Sequence, residues 1–305
     1  MTDNGTKPDG KWIVGIGEAL WDMLPEGRKI GGAPANFAYH VSQFGFPGCA
    51  VSAVGGDELG RELRRQLAAN GVRHILNEVP FPTGTVQVAL DGAGKPQYEI
   101  RREVAWDNIP FTAELEALAR QTRAVCFGSL AQRSPVSRQT IARFLETMPG
   151  GEGQYRIFDI NLRQRFYTRK IVDDSLRRCN ILKINDEELE VVGGMFGMEA
   201  LTPEGRCRAL LEKHGLRALI LTCGADGSYV FTPGGMSYVA TPRVEVADTV
   251  GAGDSFTAAF LSALLAGLGT GEAHRLAVDV SAHVCTCRGA MPELPERLTA
   301  RLRNG

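Results

Sequence analysis

The sequence has no long apolar run, almost no net charge and no Cys-x-x-Cys pair, and each absence excludes a class of protein. Its 34 Lys and Arg residues nearly balance 35 Asp and Glu residues, and the two signs are interspersed. A basic face for nucleic acid is therefore not expected. The longest apolar stretch, around residues 256–268, is too short to cross a bilayer, so we expect no membrane partner either.

Cysteine usage and the first residues both favour a reducing compartment. The seven cysteines form an odd set, and Cys285 and Cys287 are too close for a simple bridge. Residues 1–11 are polar and lack the apolar core of a signal peptide, which predicts a flexible tail. These features indicate reduced thiols and a cytoplasmic protein.

Two common nucleotide-binding motifs are also missing. No Gly-x-x-x-x-Gly-Lys-Ser/Thr string occurs, which excludes a P-loop enzyme. The string Gly15-Ile16-Gly17-Glu18 lacks the third glycine of a dinucleotide fingerprint, which argues against a nicotinamide enzyme. None of the five histidines lies in a recognisable nucleophile or metal-ligand pattern.

The order of apolar and amphipathic segments predicts an α/β fold. With 305 residues, 44% of them hydrophobic, the chain can bury one large core in a main domain over 12–305. Short apolar runs alternate with helix-period segments, which is typical of a mostly parallel sheet with helices on both faces. Strands are predicted at 12–16, 50–54, 124–127, 155–159, 180–184 and 218–222, and helices at 35–44 and 58–70.

A second, smaller sheet is predicted from segments that break this rhythm. Residues 85–90 and 97–102 are extended runs separated by Asp91-Gly92-Ala93-Gly94-Lys95-Pro96, a strong hairpin signal. Residues 20–30 are extended as well. We expect inserted segments at about 20–31 and 84–104 to form a small β-sheet apart from the main one.

The stretch Asp248-Thr249-Val250-Gly251-Ala252-Gly253-Asp254-Ser255 runs directly into the apolar segment 256–266 and is the most informative string in the chain. Small residues at 251–253 let consecutive amides point at one acceptor, with a helix dipole behind them. A phosphate held there and a carboxylate at Asp254 suit transfer of a phosphoryl group to a hydroxyl. The alternative is a glycine turn in which Asp254 is an ordinary helix cap.

The same string resembles the signature of the ribokinase-like (PfkB-type) sugar kinases. Four further strings match motifs of that family in the family's order, so the resemblance covers nearly the whole chain. They are Gly31-Gly32-Ala33-Pro34-Ala35-Asn36, Val54-Gly55-Gly56-Asp57-Glu58-Leu59-Gly60, Asn185-Asp186-Glu187-Glu188 and Thr222-Cys223-Gly224-Ala225-Asp226-Gly227.

The resemblance implies a ribokinase-like fold, a role for each matching residue, and ATP and Mg²⁺ as cofactors. Asp254 would be the base, with an anion hole at Gly251, Ala252 and Gly253 and with Arg163 at the phosphate. The sugar would contact Asp22, Gly31, Gly32, Asn36 and Asn161. The nucleotide would contact Asn185, Thr222, Gly224, Gly227 and His283, with Glu188 holding Mg²⁺ through water and Asp248 beside a monovalent cation, K⁺.

Several of these residues have a second interpretation. Asn185 and Glu188 also form a capping-box pattern, and a tight turn alone would explain Gly224 and Gly227. His283 stands where relatives often have Asn, and Glu293 follows where some have a Ser ligand, which leaves K⁺ dependence open. In the family the small sheet covers the sugar as a lid and often joins two subunits, so a homodimer through the lid is a further expectation.

The opening strings resemble fructokinases more than other members of the family. Gly17-Glu18-Ala19-Leu20-Trp21-Asp22-Met23-Leu24-Pro25 and Ala105-Trp106-Asp107 carry this likeness. The implied reaction is phosphorylation of D-fructose to fructose 6-phosphate. Ribokinase or 2-keto-3-deoxygluconate kinase activity is the nearest alternative, and a catalytically silent sugar- or nucleotide-binding relative is the alternative from another class.

Overall fold

The computed structural model describes residues 11–24, 27–90 and 96–303. Its strands, in chain order, are β1 (Trp12–Ile16), β2 (Leu20–Leu24), β3 (Gly27–Gly31), β4 (Gly48–Gly55), β5 (Arg73–Val79), β6 (Gly84–Leu90), β7 (Pro96–Ile100), β8 (Thr122–Phe127), β9 (Tyr155–Asp159), β10 (Ile181–Asn185), β11 (Ala218–Thr222), β12 (Ser228–Thr232) and β13 (Gly235–Val239). Its α-helices are α1 (Ala33–Gln43), α2 (Glu58–Ala69), α3 (Ala113–Arg120), α4 (Pro135–Thr147), α5 (Arg169–Leu176), α6 (Asp186–Phe196), α7 (Pro203–His214), α8 (Ala252–Leu265), α9 (Thr270–Cys285) and α10 (Glu296–Arg303).

The main sheet has nine strands in the order β13-β12-β11-β10-β9-β8-β1-β4-β5. The strands from β11 to β5 are parallel, and β12 and β13 continue the sheet antiparallel at one edge. The carboxyl ends of β9, β10 and β11 lie side by side in register. The predicted α/β class with a mostly parallel sheet is confirmed, and open sheets of this kind bind ligands at that end.

Helices cover both faces of the main sheet because its inner strands are apolar on both faces. Val14 and Phe158 point into one core, together with helices α3 to α7. Ile13 and Ile157 point into the other, against α1, α8 and α9. Neighbouring residues of a strand face opposite sides, so β1 and β9 each contribute to both cores.

The second sheet has four strands in the order β3-β2-β6-β7. The predicted hairpin is present, since β6 and β7 pair antiparallel, and residues 91–95 of its turn lie outside the described residues. The sheet is mixed, because β2 pairs antiparallel with β3 but parallel with β6. A separate small sheet was expected, and this parallel pairing of two segments distant in the chain was not.

Other sequence predictions hold with small shifts, and three strands, β5, β12 and β13, were missed. The predicted strands at 155–159 and 218–222 match β9 and β11, and the predicted helices start or end within two residues of α1 and α2. Strand β5 is half-exposed with charged residues, and β13 is mostly exposed at the sheet edge. Without an apolar pattern, neither gives a sequence signal.

Two further expectations bear on the described residues. All seven cysteines are free. In the described part of the chain, no helix is both long and apolar enough to cross a membrane. The predicted tail, apart from Lys11, lies outside the described residues.

Asp57 joins the two sheets at a single carboxylate. It caps α2 by accepting from the Gly60 amide at 2.8 Å, and it accepts from both the amide and the hydroxyl of Thr83, at 2.8 and 2.6 Å. Thr83 is buried directly before β6. One side chain thus sets the start of a main-domain helix and the chain's entry into the small sheet.

We predict that Asp57→Ala lowers the free energy of unfolding by about 2 to 4 kcal/mol, because a cap is lost and a buried amide is left without an acceptor. Urea denaturation measures the loss. Glu58→Ala is the matched control, since Glu58 is exposed and contacts only surface arginines, and should cost within about 0.5 kcal/mol. Equal losses in the two variants would contradict this role for Asp57.

Candidate active site

The loop before α8 presents amides at the centre of the sheet's carboxyl edge. Gly251 has φ +79, and a side chain there would come within 2.7 Å of the Ala290 backbone, so glycine is required on both grounds. Ser255 is the first residue of α8 to donate to a backbone oxygen four residues before it, that of Gly251, at 2.8 Å. The amide of Ala252 donates to Thr249, whereas those of Gly253 and Asp254 have no intrahelical acceptor. The free amides of this helix start suit an anion.

Asp254 does not cap the helix. The N-cap of α8 is Gly251, and no side chain caps that end. Instead, Asp254 Oδ2 accepts a hydrogen bond of 2.7 Å from the Asn36 side chain on α1. The sequence left a cap as the alternative, and the geometry removes it. The two residues are 218 positions apart in the chain, so the contact is purely tertiary.

The surroundings of Asp254 raise the pKa of its carboxyl towards neutral pH. Burial is the main cause that raises the pKa of Asp254, to about 6, and the Asp159 carboxylate adds to it. The Asn36 hydrogen bond and the charges of Lys183 and Arg163 act in the opposite direction. A carboxylate with a pKa of about 6 is ionised at neutral pH and is a stronger base than an ordinary aspartate.

A buried ion pair lies directly beneath the loop. The Lys183 ammonium contacts both oxygens of Asp159 at 3.0 Å, and the two side chains are 9% and 8% exposed. The Thr257 hydroxyl on α8 donates to Asp159 at 3.0 Å. A Cβ on Gly253 would lie 3.0 Å from the Lys183 ammonium. The first turn of α8 is therefore seated on the ends of β9 and β10.

Four of the five residues predicted for the sugar lie on β2, at the end of β3 and around the start of α1. Gly32 precedes α1 with φ +113, and a side chain there would strike the Glu18 backbone oxygen at 2.4 Å. A side chain at Gly31 would come within 2.3 Å of an Asp22 carboxylate oxygen. Burial raises the pKa of Asp22 to about 6, and Asp248 raises it further against Lys29. Asp22 and Asn36 thus come from the small sheet and the main domain respectively.

Asn185 and Glu188 form a complete capping box at the start of α6. The Asn185 side chain accepts from the Glu188 amide at 2.8 Å, and Glu188 Oε2 accepts from the Asn185 amide at 3.0 Å. Glu188 Oε1 accepts from the Leu162 amide at 2.8 Å, which holds the chain after β9. Burial raises the pKa of Glu188 above its ordinary value. The capping interpretation is correct, and it leaves one lone pair on each carboxylate oxygen for a water.

A direct metal cage does not form around Glu188. In the described ranges, no three His, Cys, Asp or Glu side chains converge as they would around a bound ion. Mg²⁺ keeps several waters and takes one or two carboxylates, so a single Glu188 fits only water-mediated contact.

The turn after β11 places its residues next to Asn185. Thr222 is the register partner of Asn185 in the parallel pair β10 and β11. Gly224 accepts at its carbonyl from the Thr241 hydroxyl at 2.7 Å, and a Cβ on Gly227 would lie 2.7 Å from the Val239 oxygen. The turn interpretation of both glycines therefore holds. The turn itself lies at the carboxyl edge of the sheet, next to Asn185.

The chain after β9 carries Asn161 and Arg163 to this edge. Asn161 adopts a left-handed conformation with φ +46, and its carbonyl accepts from Ser129 at 3.3 Å. Arg163 is exposed, and its guanidinium donates to the Leu162 oxygen at 3.1 Å. Its positive charge lowers the pKa of Asp254.

Asp248 and His283 lie beside the site rather than in its centre. Asp248 accepts from the amides of Val250 and Gly289 at 3.1 and 3.0 Å, which ties the loop to the segment after α9. His283, near the end of α9, lies 3.4 Å from the Glu293 oxygen. Both contacts hold neighbouring segments of the chain together, and the binding roles predicted for Asp248 and His283 stay predictions.

Asn161, Arg163, Asn185, Glu188 and Thr222 thus lie at or just after the carboxyl ends of β9, β10 and β11. The sugar candidates on β2, β3 and α1 are connected to Asp254 through Asn36. Sequence reasoning missed Lys183 and Thr257, which position α8. A lysine inside the apolar run Ile181–Asn185 was the available signal for Lys183, because a buried ammonium requires a carboxylate partner. Thr257 lies within a largely apolar helix and carries no comparable signal.

Comparison with known proteins identifies the family of the chain and its fold. A model of the pfkB family of carbohydrate kinases matches residues 27–297. A fructokinase of Klebsiella pneumoniae is 30% identical over 303 residues, 93% of this chain and 95% of its own. Aminoimidazole riboside kinase of Salmonella typhimurium is 27% identical over 307 residues, 93% of this chain and 91% of its own.

The structure of an uncharacterized sugar kinase of Pyrococcus horikoshii in complex with ATP is 27% identical and superposes with a TM-score of 0.78, covering 95% of this chain and 99% of that one. The predicted ribokinase-like fold is confirmed.

Glu188→Gln separates stability from metal binding. An amide has one oxygen, so either Leu162 or Asn185 loses its acceptor, and we expect a cost of about 1 to 3 kcal/mol in urea unfolding. If Glu188 also holds a water of Mg²⁺, the Mg²⁺ concentration for half-maximal phosphoryl transfer rises in this variant.

Glu187→Gln is the control for that experiment, because it removes the same charge from an exposed position on the same turn of α6. We expect it to change neither stability nor the Mg²⁺ titration. A Mg²⁺ titration of Glu188→Gln that overlays that of Glu187→Gln would restrict Glu188 to its structural role.

Proposed function

The chain belongs to the pfkB family of carbohydrate kinases, and on that premise we propose that it transfers the terminal phosphoryl group of ATP to the 6-hydroxyl of D-fructose. It is an ATP-dependent sugar kinase. The contact that carries the proposed chemistry is the one between Asn36 and Asp254, because it joins the predicted sugar-binding helix to the predicted base.

Asp254 acts as the base in this proposal. Its carboxylate takes the proton of the attacking hydroxyl, and the bond between that oxygen and the phosphorus forms as the bond to the leaving ADP oxygen breaks. Asn36 donates to one carboxylate oxygen and so orients the other towards the substrate. Burial supplies the raised pKa that makes proton transfer favourable.

The start of α8 and two cations balance the charge of the moving phosphoryl group. The amides of Gly253 and Asp254 are free at the helix start, and the positive charge of Arg163 acts on Asp254. When bound, Mg²⁺ would neutralise the phosphates of ATP, and Glu188 would hold it through water. The Asn185 and Thr222 strand ends and the turn at Gly224 and Gly227 receive the nucleotide.

Fructose is proposed as the acceptor from the resemblance of the opening motif and from the names of relatives. Asp22 and Asn36 supply a carboxylate and an amide for neighbouring hydroxyls, and Gly31 and Gly32 let the backbone approach the ring. His283 as a nucleotide contact, Asp248 beside K⁺ and Asn161 at the sugar remain parts of the same proposal. So do the small sheet as a lid, a homodimer through it, and a cytoplasmic location, which suits ATP and seven free thiols.

A coupled ADP-release assay over a panel of acceptors tests the substrate. We expect the highest kcat/KM with D-fructose among ketoses, pentoses, nucleosides including aminoimidazole riboside, 2-keto-3-deoxygluconate and sugar phosphates. NMR of the product should show phosphate on the 6-oxygen. A higher kcat/KM for any other acceptor would replace fructose as the substrate, and no turnover with the whole panel would favour the silent relative.

Asp254→Asn tests the base. It keeps the side-chain shape and an acceptor for Asn36 but removes the proton acceptor, so turnover should fall by about two to four orders of magnitude. The KM for ATP should change little. A variant with more than about a tenth of wild-type turnover would exclude Asp254 as the base.

The pH profile of the wild type provides an independent check. Because the base acts when ionised and its pKa is about 6, kcat/KM should fall as the pH drops through that value. An inflection near the ordinary pKa of an aspartate, about 4, would contradict the raised value.

A further inference from the structure

Glu18 is a buried carboxyl next to the proposed sugar site that no step above uses. It follows β1 at the carboxyl edge of the main sheet and is 3% exposed. Its backbone lies against the start of α1, since a Cβ on Gly32 would be 2.4 Å from the Glu18 carbonyl oxygen. Glu18 therefore stands beside the same helix start that carries Asn36 to Asp254.

One oxygen of this carboxyl has no partner. Glu18 Oε2 is shielded from solvent and accepts no hydrogen bond from any residue that the structure describes. Its own backbone N–H supports the carboxyl, which leaves the second oxygen without a protein donor. Burying such an acceptor without a donor is costly, and native proteins rarely do so unless a ligand or water completes the site.

The charges around Glu18 are those of the proposed active site. Asp254 on α8, Arg163 after β9 and Arg133 before α4 all act on it. Burial raises the pKa of Glu18 to about 7; its own amide opposes this, Asp254 adds to it, and the two arginines oppose it. Glu18 thus shares its electrostatic environment with the base and the phosphate-side arginine.

Arg133 is held rigidly on the other side of this space. Its guanidinium donates to both oxygens of Asp107 at 2.8 and 2.9 Å and lies 4.0 Å from the Trp106 ring centre and 4.5 Å from that of Phe166. Its side chain is 8% exposed, and its Nη1 donates to no described residue. An orphan donor and an orphan acceptor, each on a side chain more than nine-tenths buried, therefore act on one another.

We propose that Glu18 is a further sugar-contacting residue, whose free carboxylate oxygen accepts a hydrogen bond from an acceptor hydroxyl other than the one that Asp254 deprotonates. This rests on the proposed function, because it places the sugar at Asp254. A hydroxyl both donates and accepts, so the same sugar supplies the donor that Glu18 lacks and an acceptor for Arg133. Discrimination between sugars follows, because an analogue without that hydroxyl leaves Glu18 unpaired.

Proton release on sugar binding gives this contact a signature. The ionised carboxylate is the better acceptor, so bound sugar lowers the pKa of Glu18 from about 7. Sugar binding should then release part of a proton near pH 7, and affinity should weaken as the pH falls through that value. Asp254 and Asp22, with pKa values of about 6, give the same sign at lower pH.

Calorimetric titration of Glu18→Gln with the best sugar of the panel tests the proposal, in two buffers of different ionisation enthalpy. We expect the sugar Kd to rise about 10- to 100-fold, as for loss of a hydrogen bond to a charged group. Proton release at pH 7 should disappear, and the KM for ATP should stay within about twofold. Glu58→Gln, which removes a charge from exposed α2, should behave as the wild type.

Deoxy sugars identify the partner hydroxyl. One deoxy analogue should bind to Glu18→Gln and to the wild type with the same Kd. That analogue lacks the hydroxyl that donates to Glu18, so the substitution has no hydrogen bond left to remove. If Glu18→Gln does not fold, Glu18→Asp, which withdraws the carboxylate by one methylene, takes its place, with weaker sugar binding but retained proton release expected.

A sugar Kd within about twofold of the wild type, with unchanged proton release, would overturn the proposal and leave a water between Glu18 and Arg133. That outcome differs from failure of the proposed function. In the latter case the wild type itself binds and phosphorylates no sugar of the panel, whatever the Glu18 variants do.

Discussion

The active-site loop depends on one buried ion pair. Lys183 on β10 and Asp159 at the end of β9 neutralise each other directly beneath the first turn of α8, and Thr257 connects that helix to Asp159. Removing one partner of such a pair strands a buried charge, which is far more costly than a surface ion pair. The pair therefore fixes the position of the first turn of α8, with its free amides, relative to the ends of β9 and β10. Gly253 is small because the ammonium lies directly below it.

Three carboxyls of the proposed site are kept unusually basic by one cause. Burial is the largest contribution to the raised pKa values of Asp254, Asp22 and Glu18. The site thus concentrates negative charge where hydroxyl groups are to be bound and deprotonated. Hydrogen bonds from ligand hydroxyls, and the positive charge brought with the nucleotide, offset the unfavourable concentration of negative charge. This conflict between stability and electrostatics is typical of functional sites, and it explains why polar atoms that face no protein partner survive there.

Most motif residues serve the fold as well as the proposed chemistry. Glu188 closes a capping box and holds the Leu162 amide with the carboxylate that is proposed to hold a water of Mg²⁺. Asp248 ties two loops together, and Gly31 leaves room for the Asp22 carboxylate. Capping, turn and catalytic interpretations of such strings are therefore not exclusive. Only variants that separate stability from rate can divide the two roles.

The sequence by itself determined the α/β class, the strand positions at 155–159 and 218–222, and the loop at Gly251–Asp254, because apolar periodicity and glycine placement are local properties. It did not determine that β2 would pair parallel with β6, nor that Asn36 would reach Asp254 across 218 residues. It also gave no indication of the orphan oxygen of Glu18 or of the roles of Thr257 and Arg133. Hydrogen-bond partners, burial and the pKa values that follow from them belong to packed atoms from distant segments. Only the tertiary structure brings those atoms together.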